Sequence, residues 1–338
     1  MGPVSSVTPV PSWFRFDEES VVGAARRYAV EVAQALQLSE RKVADLAIVV
    51  TELGTNLIKH ATEGVLLVRP VREVDNAGLE VVSVDAGPGI ADLTRFHRDG
   101  HTTAGSLGIG LGAVARLADR YDVYSTPGRG TVLIAQMWQQ QKDPPSAWAE
   151  GLTRPMTGEH VTGDGYAIRR EGNRSQVLVC DGLGHGPLAA AATQAALHIF
   201  GSAPMENPAA LVNRLHRGLS HTRGAALLVA QIDPDEALIR VCGLGNIAGT
   251  ILNGHERRGV VSMPGIAGHG KATIREFEYP CTPHSLLVAH SDGVSDKWSL
   301  DGYPGLESRS PLLIAATVLR DAGVRRDDAC VLAARTHP

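Results

Sequence analysis

A polar, proline-bearing stretch, QQQKDPPSAWAEGLTRPM over residues 139–156, interrupts two long regions of patterned apolar sequence. Its three prolines (Pro144, Pro145 and Pro155) suit an extended connector and not a packed element. A chain of 338 residues divided in this way builds two cores instead of one. The reading is a first domain over 13–138, a linker over 139–156 and a second domain over 157–338. Hydrophobic residues at 43% and charged residues at 20% supply ordinary globular cores on both sides of the break. The near-balance of 32 Lys and Arg against 36 Asp and Glu argues against nucleic acid as a partner, which needs a basic footprint. No apolar run reaches the length of about 18 residues that suggests a membrane span. The opening residues lack the basic-then-apolar profile of a signal peptide. No membrane partner is therefore expected, and a cytoplasmic location is. The four cysteines contain no C-x-x-C pair and read as reduced core thiols.

In the first region, apolar residues recur at helical spacing over 20–37 (Val21, Ala25, Tyr28, Val32, Leu36), and a second helix over 39–61 opens on a Ser39 cap. LLVRPVREV and LEVVSVDAG read as strands joined by a turn at Asn76–Gly78. A helix from Gly112 to Asp119 follows, then a hairpin of RYDVYST and TVLIAQMW around PGRG. Four short motifs lie along these elements. In TELGTNLIKHA, Glu52 and Asn56 stand one turn apart on a helix face, with Lys59 and His60 read as peripheral. VDAGPGI ends a strand on Asp85 and continues through Gly87 and Gly89. SLGIGLGAV sets Gly108, Gly110 and Gly112 directly before a helix, where backbone N–H groups can face phosphate. It lacks the Gly-Lys-Ser/Thr ending of a Walker A loop. PGRGT places Thr131 at the start of the last strand. Singly, each has an ordinary reading as solvated polar residues or a turn after a strand; in this order and spacing they read as one site.

That order resembles the GHKL ATPase and kinase family (Bergerat fold), within it the serine kinases and anti-sigma factors of the RsbW/RsbT type. The resemblance implies an α/β sandwich that binds ATP. Asp85 would accept a hydrogen bond from the adenine amino group, with Gly87 and Gly89 letting the backbone approach the base and Thr131 nearby. Asn56 would give a side-chain oxygen to Mg²⁺. Glu52 would orient or deprotonate the attacking hydroxyl, and Gly108, Gly110 and Gly112 would cap the triphosphate. FHRDGHTTAGSL, at about 96–107, has no apolar period and reads as a lid over the nucleotide. A sensor histidine kinase fits less well, because the residues before Glu52 form the domain's own first helix and not a His-bearing dimerisation segment.

The second region holds strand-like YAIRR and QVLVC, helical stretches near 187–199 and 207–220, and strands AALLVAQID, ALIRVCGL, IAGTILN, TIREFEY and SLLVAHS. A helix near 311–321 and a last strand, ACVLAAR, complete a β-sandwich flanked by helices. Acidic residues recur at strand ends: Asp164 in TGDGY, Asp181 in VCDGLGHG, Asp292 in HSDGVSD and the pair Asp327–Asp328 in RRDDACVL. One aspartate after a strand is an ordinary turn-former. Several converging at one end of a sandwich repel unless cations neutralise them, and paired divalent ions generate a nucleophilic water. The set resembles the PPM/PP2C metal-dependent phosphatases, specifically the SpoIIE branch and its RsbX-like members. The resemblance implies an α-β-β-α sandwich binding two divalent ions, Mg²⁺ or Mn²⁺. Asp181 would bridge them, the Gly182 carbonyl would ligate one, and Asp164, Asp292 and Asp327, favoured over Asp328, would complete the shells. Asn246 and His185 lie in the motifs without an assigned role, and no phosphate-binding Arg is identified.

Together the two resemblances imply an α+β two-domain enzyme, a protein Ser/Thr kinase fused to a metal-dependent phosphoserine/phosphothreonine phosphatase. It would act on STAS-domain regulators, of the anti-anti-sigma or stressosome type, in partner-switching control of a stress-response sigma factor, itself a candidate partner. The alternative is an ATP-binding anti-sigma or switch module, or a nucleotide sensor, fused to the phosphatase; Glu52 permits phosphoryl transfer without proving it.

Overall fold

The computed structural model describes residues 10–73, 75–91, 108–140, 147–254 and 256–336. The expected lid at 96–107 and most of the lead-in lie outside the described residues. The chain divides into two compact units, Met1–Pro144 and Pro145–Pro338.

In the first unit, β1 (Ser12–Arg15), β2 (Val65–Glu73), β3 (Asn76–Asp85), β4 (Arg120–Ser125) and β5 (Thr131–Trp138) form one sheet in the order β1-β2-β3-β5-β4. Among the described residues three helices accompany it: α1 (Ser20–Ala35), α2 (Glu40–His60) and α3 (Gly108–Leu117). Ser39 caps α2, its hydroxyl accepting from the Lys42 amide. Leu46, Val49, Val50, Leu53 and Leu57 recur at three- and four-residue steps and are buried. This stripe packs against Leu66, Val68, Leu79, Val81, Leu133 and Ala135, which alternate along the strands. One face of α2 is thereby committed to the core.

Two sequence expectations shift here. Glu73 pairs with Asn76, so Asn76–Gly78 is strand, and the described turn residue is Asp75, ahead of it. Asn76 is held there because its Nδ2 donates to the Gln140 carbonyl and its Oδ1 accepts from the Gln140 amide. The second shift is at α3, which starts at Gly108 instead of Gly112. Leu111 and Val114 are buried in the core, and their spacing extends the helix back through the glycines.

In the second unit, β6 (Ala149–Arg154), β7 (Asp164–Glu171), β8 (Arg174–Gly182), β9 (Ala225–Asp233), β10 (Leu238–Leu244), β11 (Ala248–Asn253), β12 (Glu256–Gly259), β13 (Ser262–Met263), β14 (Phe277–Pro280), β15 (Leu286–His290) and β16 (Ala329–Arg335) form two sheets. One runs β13-β10-β9-β8-β7 with β14 also on β10; the other runs β12-β11-β15-β16-β6. Helices α4 (Pro187–Ser202) and α5 (Pro208–Gly218) cover the first sheet, and α6 (Pro311–Ala322) lies on β6 and β16. Strand alternation makes this layering possible. Val177 and Val179 of β8 face the inter-sheet core with Val241, Leu287 and Leu332, whereas Leu178 and Cys180 face Phe200, Leu211 and Leu215 of the helices. The result is an α-β-β-α sandwich. Part of the stretch read as linker is structure: Ala149–Arg154 pairs along β16 from Ala334 to Ala329, because Ala149 and Leu152 carry apolar surface that the sheet buries. Cys180, Cys242 and Cys330 are buried free thiols, and Cys281 is a partly buried one.

Candidate functional sites

In the first unit, Glu52 and Asn56 lie one turn apart on α2 and are half-buried. Helix α3 crosses them so closely that a methyl group on Gly110 would stand 2.5 Å from Glu52 Oε2 and 3.4 Å from Asn56 Nδ2. Glycine at 110 thus follows from close approach, and it joins three of the expected site residues. Gly108 and Gly110 fall in the first turn of α3, where amides are unspent within the helix. Gly112 lies beyond that turn, so its N–H belongs to the helix ladder and is not free to face a phosphate.

Asp85 ends β3 beside the C-terminal end of α2. Its Oδ1 accepts from the Gly87 amide at 2.7 Å, and the Ala86 amide donates to the Thr62 carbonyl at 2.9 Å. From Glu52 through Asn56 to His60 the helix rises about 12 Å, with the Asp85 turn at its far end. Lys59 and His60 are exposed there. Gly130 has a φ of +81°, and a methyl group on it would lie 1.9 Å from the Asp85 carbonyl oxygen; the PGRG turn and the Asp85 turn are therefore in backbone contact. Thr131 stands opposite Asp85 in the β3–β5 register. Its hydroxyl lies 2.9 Å from that of Ser125, which also accepts from the Ile90 amide at 2.7 Å. Ser125 ties three segments of the site together and was missed in the sequence, where its only signal is its position mirroring Thr131 across the turn.

In the second unit, Asp164 and Asp181 face each other across the β7–β8 register. Asp164 is 5% exposed, and its Oδ2 accepts from the Ser291 hydroxyl at 2.5 Å; that hydroxyl accepts from the Cys330 amide at 2.9 Å. Burial, and then the charge of Asp181, hold the Asp164 carboxyl well above its usual range, with Ser291 opposing. Asp181 is pushed up to about 7 by burial and by the charges of Asp292 and Asp327. Asp292 is raised by burial and by Asp327, while Asn246 Nδ2, donating to its Oδ2 at 2.6 Å, opposes the shift. Four carboxylates from four strand ends thus crowd together, and the charge of Asp328 adds to the rise at Asp164 and Asp181. Asp328 is different: it is buried, its Oδ1 accepts from the Met156 amide at 2.7 Å and its Oδ2 from the Gly163 amide at 2.6 Å. It clamps backbone, while Asp327 beside it is exposed.

Gly182 is wedged against α4, where a methyl group would lie 2.2 Å from the Ala189 carbonyl oxygen. Its amide donates to the Gly163 carbonyl at 3.0 Å, an oxygen that also accepts from the Thr193 hydroxyl. His185 points its Nδ1 toward Glu159 Oε1 at 3.5 Å on an open surface. Ser291, Thr193 and the clamping role of Asp328 were not read from sequence, because each depends on which strands lie side by side. Among the described residues, no three His, Cys, Asp or Glu side chains stand close enough to hold a metal ion as they are. In donor chemistry the four carboxylates fit a hard, oxygen-preferring divalent cation.

Residues 14–137 match the family of the histidine kinase-like ATPase domain, and residues 171–337 match Stage II sporulation protein E (SpoIIE). The first region is 33% identical over 127 residues to the serine/threonine-protein kinase RsbT of Bacillus subtilis (strain 168), spanning 38% of this chain and 96% of that protein. The phosphoserine phosphatase RsbX of the same organism is 21% identical over 141 residues, 41% of this chain and 70% of that protein. A solved structure described as "The bacterial stressosome: a modular system that has been adapted to control secondary messenger signaling" aligns with 55% of this chain and 98% of its own, at a TM-score of 0.51 and 26% identity. No helix among the described residues is long and apolar enough to cross a membrane. The chain accordingly belongs, through its first unit, to the histidine kinase-like ATPase family of RsbT and the anti-sigma F factors, and carries as its second unit a SpoIIE/PP2C-type phosphatase domain.

Proposed function

We infer that the protein is a bifunctional regulator, a protein Ser/Thr kinase and a phosphoserine/phosphothreonine phosphatase, working on STAS-domain proteins in partner-switching control of a sigma factor in the cytoplasm. The observation that carries the reading is the mutual repulsion of Asp164, Asp181, Asp292 and Asp327 at one end of the sandwich, an arrangement that a structural role does not require and a divalent-ion site does. These four side chains and the Gly182 carbonyl would hold two divalent ions, Mg²⁺ or Mn²⁺. When bound, the ions supply charge neutralisation and a nucleophilic water. The chain's own part is positional: Ser291 orients Asp164, Asn246 orients Asp292, and Asp328 fixes the backbone that presents Gly163 and Asp164.

In the kinase unit ATP is the substrate. Asp85 reads the adenine amine with Gly87, Gly89 and Thr131 around it, and Asn56 offers its side-chain oxygen to the accompanying Mg²⁺. Gly108 and Gly110 present amides to the phosphates, and Glu52 orients the attacking hydroxyl for transfer. The kinase of Bacillus subtilis that aligns with nearly its whole length supports this half.

The test is transfer of labelled phosphate from ATP to candidate STAS proteins, followed by Mn²⁺-dependent release. Wild type should do both, Glu52→Ala should lose only the transfer, and Asp181→Asn only the release. Transfer that survives in Glu52→Ala would leave the first unit as a nucleotide-binding switch module.

A further inference from the structure

The acidic end of the sandwich is bordered by a guanidinium, that of Arg223, which the site described above leaves unused. Strands β8 and β9 pair from Gly182 with Ala225 inward, and the Leu183 amide donates to the Gly224 carbonyl at 3.0 Å. The loop after Asp181 and the loop after α5 therefore run side by side. The second of these is pinned: the Thr222 hydroxyl donates to the Leu219 carbonyl at 2.7 Å and accepts from the Gly224 amide at 3.0 Å. Between these anchors stands Arg223. A methyl group on Gly184 would lie 3.2 Å from Arg223 Nη1, so the side chain packs over the bare backbone of the Asp-Gly-Leu-Gly turn. Gly184 also has a φ of +89°, a conformation that favours glycine.

Arg223 is exposed and, among the described residues, makes no hydrogen bond or ion pair. Three other arginines of this unit are spent. Arg169 bonds Gln176 and the Phe200 carbonyl, Arg214 pairs with Glu206, and Arg240 pairs with Glu236 and Glu278. Arginine carries a rigid fork of donors suited to two oxygens of one phosphate. A phosphate dianion bound beside four carboxylates gains from a protein cation next to them, and the anchored loop keeps this one beside the Asp181 turn.

We propose that Arg223 recognises the phosphoryl group of the phosphatase substrate, gripping its outer oxygens beside the Asp181–Gly184 turn. The proposal rests on the phosphatase reading above. Its test uses the full chain with Mn²⁺, p-nitrophenyl phosphate as substrate and inorganic phosphate as competing ligand. Arg223→Gln should raise both KM and the inhibition constant for phosphate roughly ten- to hundredfold, the loss expected for a charged hydrogen-bonding partner. The Mn²⁺ concentration for half-activation should stay unchanged, and Arg223→Lys, which keeps the charge without the fork, should recover part of the loss. Hydrolysis with unaltered KM and phosphate inhibition in Arg223→Gln would overturn the proposal while leaving the phosphatase reading intact. So would a loss found only in Arg326→Gln, the exposed cation next to Asp327. A wild-type chain that neither hydrolyses the ester nor binds phosphate with Mn²⁺ would overturn both.

Discussion

Asp181 has a like charge opposite it and two more nearby, so its replacement by asparagine separates catalysis from folding. Asp181→Asn should reduce phosphatase activity by at least about a hundredfold, the scale on which losing a central charge-stabilising group acts. Its thermal midpoint in EDTA should stay level or rise, because one repelling charge is gone. A fall of several degrees would mean that the carboxylate holds structure. Gly110→Ala is the corresponding change in the other unit. Its methyl would meet Glu52 Oε2 at 2.5 Å, so Glu52 must turn away or α3 must shift. Phosphoryl transfer should be lost while stability falls by only about 1–3 kcal/mol, measured by denaturant unfolding alongside the kinase assay. The strand ends bearing Asp85, Asp181 and Asp292 are legible in sequence because each closes a strand-like apolar run, and Asp164 because it opens the strand-like DGYAIRR. Ser125 and Ser291 were not, since a hydroxyl gains its partners only when distant strands are brought into register.

At the level of elements, α2 shows what periodicity can and cannot reveal. The apolar stripe and the Ser39 cap marked its extent in sequence, and the helix runs Glu40–His60 as that pattern requires. Its neighbour α3 was read short, because glycine is costly within a helix by about 1 kcal/mol each and the close contact with Glu52 that favours it is invisible in one dimension. The β2–β3 reversal was misplaced for a similar reason: Asn76 and Gly78 are common turn residues, yet Asn76 is used for its two bonds to Gln140. Leu53, 2% exposed in the centre of α2, gives a test of the helix as the platform for Glu52 and Asn56. Leu53→Ala should cost about 2–5 kcal/mol in urea unfolding of the first unit and weaken ATP binding less than Asn56→Ala does. Equal stability to wild type would mean that the stripe is not what seats the helix.

For the whole molecule, two cores on either side of residue 144 predict two unfolding events. A fragment of residues 145–338 should unfold cooperatively in urea and retain Mn²⁺-dependent hydrolysis of p-nitrophenyl phosphate; a fragment without a cooperative transition would contradict the division. The two cores also differ in how their strands are ordered along the chain. The first unit completes its sheet with β5, from a contiguous stretch of sequence. In the second, β16 is inserted between β15 and β6, and Asp327 and Asp328 immediately precede it. A ribosome making this chain therefore releases a foldable ATPase unit well before the phosphatase sandwich can close. Until β16 emerges, β6 and β15 each present an unsatisfied edge, the kind of surface on which nascent chains aggregate or recruit chaperones. Birth order alone would give each new molecule an interval with its first unit folded and its second still open.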